Sequence, residues 1–293
     1  TFSHVEQIRA AIAAAQKKKY LPGMIQGKVT HCFGTVEPNA GSDATAIETA
    51  AVLDGDEYVI NGNKTWITNA NICNFAMVVC QTDKTKGTKG LAVIIVDWGT
   101  PGFTRAPIEH KMAFRHHDHG QLFFRDCRVP RSNQLGGFGM RAAFSNVEHT
   151  RFGIACAAVG AIEACLDCSI KYCQERVQFK KPIGSFQLVQ EKIADMVIDL
   201  EASRWLAYRL GYLKDKNVNV VKDTSIAKYY NMEAVRRSAM AAVELHGAYG
   251  LSDEYPVERI YRDCMAPIIY GGTAHVHKMV LGRIMLGIDA VAR

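Results

Sequence analysis

The chain is 293 residues long, 48% hydrophobic and 22% charged, enough apolar material for a sizeable core in one large or two ordinary domains. Its formal net charge of +6 is spread along the chain, without the compact basic stripe and interleaved aromatics of a nucleic-acid binder. No apolar stretch reads as a membrane span and no secretory signal opens the sequence, so membrane insertion is not expected. Residues 4–20 carry Val5, Ile8, Ala11, Ile12 and Ala15 at helical spacing, and Leu21-Pro22-Gly23 predicts the stop. One helix cannot bury its apolar stripe alone, so residues 1–28 are expected to be the last helix of an N-terminal helical domain that is otherwise mostly absent. Thr1 suggests a processed or truncated start. Residues 29–135 change texture to short β-rich runs, at 57–62, 76–82 and 91–97, with turn signals at Asp54-Gly55 and Asn61-Gly62, and predict a central antiparallel β-barrel domain or sandwich. After Gly136-Gly137-Phe138-Gly139, helical patterns at 141–175, 184–215, 219–246 and 274–290 predict an antiparallel four-helix bundle over 136–293. The fold class is α+β.

Two strings in the β-region carry chemical potential. In 33-FGTVEPNAGSDA-44 small residues and turn formers leave backbone N–H groups free for an anionic or carbonyl-rich ligand, and in 64-KTWITN-69 Trp66 offers a flat apolar surface beside the Thr68 hydroxyl. By composition alone, an ordinary turn and a core tryptophan are the favoured explanation of both strings. The nine cysteines are odd in number and sit mostly in apolar runs, as free thiols of a reducing compartment do. Cys165-x-x-Cys168 lies within an unbroken helical pattern without a second ligand pair, which favours packing over a metal or redox role. The three histidines of 115-RHHDHG-120 are crowded into four positions and lack distant partners, so a surface loop is expected there and no metal site anywhere.

The ordered set Glu37-Pro-x-Ala-Gly-Ser-Asp43, Trp66-Ile-Thr-Asn69, 126-DCRVP-130, 175-ERVQFKKPIGSFQ-187, 253-DEYPVERIYRD-263 and 270-YGGT-273 resembles the acyl-CoA dehydrogenase family over nearly the whole chain. The resemblance implies FAD as cofactor and an acyl-CoA substrate. It further implies a homotetramer (a dimer of dimers) formed through the bundle, electron transfer flavoprotein as redox partner, and a cytoplasmic location in a bacterium or a mitochondrial matrix location in a eukaryote. By that resemblance Phe33, Thr35, Val36, Ser42, Trp66, Ile67 and Thr68 cradle the isoalloxazine. Arg176, Gln178, Phe179, Gln187 and the loop Glu244, Leu245, His246, Gly247 and Ala248 hold the adenosine and pyrophosphate half of FAD bound in a neighbouring subunit, and Thr273 and His275 close over the cofactor. Ser42, Thr88, Glu148, Arg151, Tyr270, Gly272 and Arg283 face the acyl-CoA. Arginine paired with phosphate, glycine-rich amides and flanking aromatics suit such a ligand. Glu244, in place of a glutamine common in the family, brings a carboxylate towards phosphates unless a cation intervenes; Val36, Ala248 and His275 also depart from the usual pattern.

Family chemistry takes the α-proton of the thioester with a carboxylate while the β-hydrogen leaves as hydride. In most members that glutamate occupies the position of Gly271, and in a minority the position of Thr150; neither residue here is a carboxylate. Glu148 stands two residues from Thr150, a rotation of about 200° around a helix, and faces elsewhere. Three explanations stay open. The base comes from elsewhere, for instance an aspartate of the N-terminal domain, with room for a cyclic or unusual acyl group. Alternatively the enzyme is a 2-enoyl-CoA reductase of the crotonobetainyl-CoA reductase type. Or the chain is a related lyase or a non-catalytic CoA- and flavin-binding scaffold.

Overall fold

Helix α1 (Ala14–Ile25) opens the part of the chain that the computed structural model describes, residues 14–144 and 147–290. The expected helix at 4–20 lies partly outside the described residues, and its stop is corrected: α1 runs through Pro22 to Ile25. Proline removes one N–H but not the next turn, which resumes with Gln26 N–H bonded to the Pro22 carbonyl at 3.1 Å. The chain leaves the helix at Gly27, with φ +71°. Two units follow, one comprising Thr1–Lys111 with Arg115–Asn146, the other Met112–Phe114 with Val147–Arg293.

The first unit is built on eight strands: β1 (His31–Gly34), β2 (Ala50–Asp54), β3 (Glu57–Thr68), β4 (Phe75–Gln81), β5 (Leu91–Asp97), β6 (Phe103–Pro107), β7 (His119–Pro130) and β8 (Gln134–Leu135). They form one sheet in the order β6-β7-β3-β2-β4-β5-β8, with β1 also on β4. Most pairings are antiparallel, but β1, and β2 through the single pair Ala50–Gln81, run parallel to β4. Tyr58, Ile60 and Ile67 of β3, Leu122 and Phe124 of β7, Phe103 of β6 and Val78 and Ile94 of β4 and β5 share one core. The sheet therefore curls onto itself, and side chains rather than a ladder close it. The other face of β4 and β5 buries Phe75, Met77, Val79, Val93 and Ile95 with Tyr20 of α1 and Ala143 of α2 (Met140–Phe144). Strands covered on both faces need the near-continuous Val/Ile run that 91-LAVIIVD-97 supplies.

The expected turn at Asn61-Gly62 is instead a β-bulge inside the long strand β3, where the register with β7 shifts between Ile60 and Gly62. Gly62 has φ +143°, and a Cβ there would stand 2.7 Å from the Thr49 Cα. The close approach of the Thr49 backbone, and not chain reversal, explains that glycine.

The second unit contains α3 (Val147–Glu175), a two-stranded ribbon of β9 (Val177–Gln178) and β10 (Lys181–Pro182), then α4 (Gln187–Asp215), α5 (Val221–His246), α6 (Val257–Ile269) and α7 (Ala274–Leu286). Five long helices thus stand where four were expected. The extra one, α6, buries Val257 and Cys264 with Ile260, Tyr261, Met265 and Ile268 packed against the bundle core; Pro256 before it and Pro267 inside it masked the helical spacing. Helix α3 is long and apolar enough to cross a membrane by length and composition, contrary to the sequence expectation. Ile154, Ala158, Ile162, Cys165 and Leu166 instead line the bundle core with Met196, Leu200, Met232 and Val235, at roughly 1.5–3 kcal/mol per fully buried large aliphatic side chain.

Candidate functional site

In the first unit the loop after β1 is fastened by an ion pair the sequence did not advertise. Lys64, with no exposed side-chain surface, donates to the Glu37 carboxylate at 2.7 Å and to the Thr35 carbonyl at 3.2 Å. Glu37 also accepts from the Glu48 and Thr49 amides at 2.7 and 2.9 Å. Burial alone would push the Glu37 carboxyl up, but the hydrogen bonds from Lys64, Thr49 and Glu48 prevail and hold it below its ordinary value. Burial pulls the Lys64 ammonium down, against the opposing attraction of Glu37. A one-residue alternation signal existed, since Lys64 keeps the inward parity of Tyr58 and Ile60.

This anchor brings Phe33, Thr35 and Val36 beside the 66–68 segment, with the Thr65 amide bonded to the Val36 carbonyl at 2.9 Å. A second register shift between Lys64 and Ile67 frees Trp66 from pairing and holds it at φ +57°. Its side chain is 57% exposed, which rules out the core-tryptophan explanation. Thr68 is exposed beside it, whereas Ile67 is buried in the sheet core, so only its backbone can face a ligand. Ser42 is exposed next to Asp43, whose carboxylate caps the following turn by accepting from the Thr45 amide at 2.9 Å. Thr88 sits half-buried in the turn before β5. An uncovered indole face next to a free hydroxyl and a rigid, amide-lined loop fits a planar heteroaromatic ligand such as the flavin of FAD.

In the second unit the segment Tyr270–Thr273 joins α6 to α7. Gly271 and Gly272 have φ of +69° and +97°, a region L side chains avoid. A Cβ on Gly271 would meet the Ile154 methyl at 2.8 Å. Arg151 donates from Nε to the Gly271 carbonyl at 2.7 Å, and Lys228 of α5 donates to the carbonyls of Gly272 at 2.5 Å and Ile268 at 3.3 Å. Burial and the neighbouring Arg151 push the Lys228 amine down to about 8. His277 of α7, fully buried, is pushed down to about 4 by burial, Arg151 and Lys228. Lys228 and His277 were not singled out from sequence; the signal was a polar stripe, Thr224, Lys228, Asn231 and Ser238, at core spacing along α5. Thr273 caps α7 by accepting from the Val276 amide at 3.4 Å. His275 is exposed in the first turn, and Arg283 lies in the last, 3.8 Å from Asp289. Tyr270 is exposed and Glu148 half-buried.

A separate cluster of this unit gathers the remaining candidates. The β9–β10 turn puts Phe179 and Lys180 at φ +53° and +66°, a strained two-residue reversal without glycine. It leaves Phe179 88% exposed beside exposed Gln178 and Arg176. The Arg176 guanidinium lies 5.9 Å from the Tyr249 ring, next to residues 244–248. The loop expected there is corrected: Glu244, Leu245 and His246 form the last turn of α5 and only Gly247 and Ala248 lie beyond it; Glu244, Gly247 and Ala248 are exposed, while Leu245 and His246 are buried. His246 stacks on Tyr172 at 4.3 Å and bonds the Ala242 carbonyl, so it supports this segment from below. The cation that Glu244 called for is present, since Lys192 pairs with its carboxylate at 2.5 Å. Gln187 is exposed at the start of α4.

The remaining sequence candidates are structural. Cys165 packs in the bundle with its thiol pushed up to about 12 by burial. In the 115–120 loop Asp118 accepts from the Asn71 amide and side chain at 2.8 and 2.6 Å, which ties the loop to the end of β3.

A curled eight-stranded sheet followed by a helical bundle, with an exposed Trp-Thr face on the one and a conformationally constrained glycine turn on the other, defines a flavoenzyme scaffold of the acyl-CoA oxidoreductase class. The family description "Acyl-CoA dehydrogenase, middle domain" matches residues 32–127, and "Acyl-CoA dehydrogenase, C-terminal domain" matches residues 137–286. The chain belongs to the acyl-CoA dehydrogenase family, FAD-dependent oxidoreductases acting on CH–CH donors. It is 41% identical to a glutaryl-CoA dehydrogenase of Desulfococcus multivorans, over 95% of this chain and 72% of that protein. It is 40% identical to the caffeyl-CoA reductase-Etf complex subunit CarC of Acetobacterium woodii, over 92% of this chain and 72% of that protein. A glutaryl-CoA dehydrogenase of Mycobacterium smegmatis solved in complex with FADH2 superposes with a TM-score of 0.95 at 33% identity, over 99% of this chain and 74% of that one.

Proposed function

We propose that this protein oxidises the α,β-carbons of an acyl-CoA thioester with FAD, as a dehydrogenase whose proton acceptor is not residue 271. The observation that carries the cofactor part is Trp66, held by a strand irregularity with its indole face in solvent beside Thr68. Together with Phe33, Thr35, Val36, Ser42 and the Ile67 backbone it would hold the isoalloxazine. Arg176, Gln178, Phe179, Gln187, residues 244–248, Thr273 and His275 would hold the rest of the cofactor, in part from a neighbouring subunit. When bound, FAD supplies the hydride acceptor for the β-hydrogen. Ser42, Thr88, Glu148, Arg151, Tyr270, Gly272 and Arg283 would receive the thioester. Neither Gly271 nor Thr150 offers a carboxylate for the α-proton, so a group outside these two positions takes it. Exposed Trp205, Tyr208 and Tyr212 on α4 support a subunit contact through the bundle in a homotetramer, and the Etf-linked relative supports electron transfer flavoprotein as redox partner.

One feature favours a second direction. A site with no carboxylate at residue 271 or 150, in a chain 40% identical to a reductase subunit, also suits reduction of a 2-enoyl-CoA. The cofactor part is tested by comparing FAD retained after gel filtration in the wild type and in Trp66→Ala. Exposure of Trp66 means the variant keeps its fold, and it is expected to lose FAD affinity by roughly five- to a hundredfold, the equivalent of about 1–3 kcal/mol for a stacking aromatic. Equal retention with an unchanged flavin spectrum would sink the assignment of this face.

A further inference from the structure

Glycine populates positive and negative φ about equally, so nothing local selects the +69° and +97° of Gly271 and Gly272. The turn is fixed from outside, by basic side chains of three different helices. Arg151 of α3 donates from Nε to the Gly271 carbonyl at 2.7 Å, and a Cβ on Gly272 would stand 3.1 Å from its Nη2. His277 of α7, fully buried, hydrogen-bonds with the backbone of both glycines. Lys228 of α5 reaches both flanks of the turn, the Gly272 carbonyl at 2.5 Å and the Ile268 carbonyl at 3.3 Å.

The two bonds of Lys228 act at different elements. A helix leaves its last carbonyls without helical partners; at the end of α6 the Tyr270 amide takes the Ala266 carbonyl at 3.0 Å, and Lys228 takes that of Ile268. Its other bond holds Gly272, the residue before the Thr273 cap of α7. One ammonium thus spans the exit of α6 and the entry of α7, while Arg151 and His277 hold the middle. Lys228 is 1% exposed, and a buried ammonium is costly unless hydrogen bonds satisfy it; burial, with Arg151 nearby, pushes its amine down to about 8. Two of the bonds that satisfy it come from this one segment, so any displacement of the 268–272 backbone strands a charged donor. Asn231, one turn further along α5 and equally buried, bonds instead the Ala155 and Ser203 carbonyls at 3.0 and 3.1 Å; it ties α5 to α3 and α4 and leaves the turn alone.

We propose that Lys228 is a positioning residue of the acyl-CoA site, whose ammonium presets the backbone of residues 270–272 in the conformation that receives the thioester. This rests on the acyl-CoA reading of the preceding section and adds to it a residue that acts through the backbone, without touching the ligand.

The probes are two enoyl thioesters, crotonyl-CoA and cinnamoyl-CoA, which an oxidised flavin cannot turn over, titrated calorimetrically into the oxidised FAD-loaded protein. Lys228→Met keeps the length of the side chain and removes its donors. It should weaken whichever thioester the wild type binds by about tenfold or more, in line with lost hydrogen bonds to a charged group, and leave FAD retention within about twofold. Hydrogen exchange over residues 268–273 should quicken about tenfold in the same variant. Asn231→Leu, which removes a buried donor from the same helix, should lower Tm yet keep thioester affinity and exchange over 268–273 within about twofold of the wild type. Lys228→Gln, whose amide still donates, should weaken binding by about threefold or more, and carries the test if the methionine variant does not fold. Affinity within twofold of the wild type in a folded Lys228 variant, or an equal loss in Asn231→Leu, overturns the positioning role. So does failure of both Lys228 variants to fold beside a folded Asn231→Leu, which would make Lys228 a residue of folding alone. A wild type that binds neither thioester would remove the acyl-CoA reading beneath the proposal, and the proposal with it.

Discussion

Replacing Glu37 by glutamine changes one atom and strikes the anchor of the whole Trp66 face. The carboxylate is 5% exposed and its partner Lys64 has no exposed surface; it accepts from the lysine and from two backbone amides at 2.7–2.9 Å. In Glu37→Gln the oxygen that accepts from Lys64 and Thr49 can be kept only with the new NH2 group facing the Glu48 amide, donor against donor, and in either orientation the buried ammonium loses its counter-charge. Removing one partner of a buried ion pair costs about 3–5 kcal/mol, whereas an exposed pair such as Arg128–Asp54 gives at most about 1 kcal/mol. Lys64→Met should cost less than Glu37→Gln, because the carboxylate keeps its two amides and the methionine fills the aliphatic channel. The combined Glu37→Gln/Lys64→Met variant, which leaves no unpaired buried charge, should recover part of the loss. Denaturant midpoints read by far-ultraviolet circular dichroism, on the wild type, both single variants and the double variant, measure the coupling directly. With about 2–4 °C per kcal/mol for a protein of this size class, Glu37→Gln should also lower Tm by roughly 6–20 °C. A loss below about 1 kcal/mol, or additive single effects, would refute the claim that this pair holds the loop.

Three further outcomes follow from particular contacts. Gly62→Ala brings a Cβ to 2.7 Å from the Thr49 backbone at φ +143°, and should destabilise by roughly 2–5 kcal/mol from strain and overpacking together; equilibrium unfolding checks it. His277 has a folded value near 4, below its unfolded value of about 6.5. The unfolded chain therefore takes up a proton that the folded one refuses, and stability present above about pH 6.5 is lost as pH falls towards 4, by up to about 3 kcal/mol. His277→Leu, which removes the titrating ring, should flatten that slope in urea titrations across the same window. Phe179→Asn, which relieves a left-handed position at an 88% exposed ring, should leave or slightly raise stability while lowering FAD retention, as read by absorbance after gel filtration.

Much of the architecture was legible because its signals are local. The alternation in 57–60, the Val/Ile run of β5 and the long periodic stretches of α3, α4 and α5 each encode one element. The failures have physical causes. Pro22 and Pro267 lie inside helices that tolerate a single missing N–H, and Asn61-Gly62 carries the strongest hairpin signal although the long-range approach of Thr49 is what requires its glycine. The motif resemblance supplied the candidates Trp66, Arg151, Arg176 and Gly271, but not their supports. Lys64, Lys228 and Lys192 act through partners 27, 44 and 52 positions away, and only the fold brings those partners together. Of these, Lys64 and Lys228 were readable as charged residues at core-facing positions, and Lys192 was not, being half-buried on an otherwise ordinary helix.

The oxidoreductase assignment meets its most direct measurement in the visible spectrum of the FAD-loaded protein mixed anaerobically with saturated acyl-CoA thioesters, including a dicarboxylic one, and then, after chemical reduction, with the matching enoyl-CoA. The account predicts bleaching of the bound flavin by a saturated thioester without any added reductant, at a rate unchanged in Thr150→Val because that residue takes no proton. A flavin that no saturated thioester bleaches and no enoyl-CoA reoxidises would contradict it.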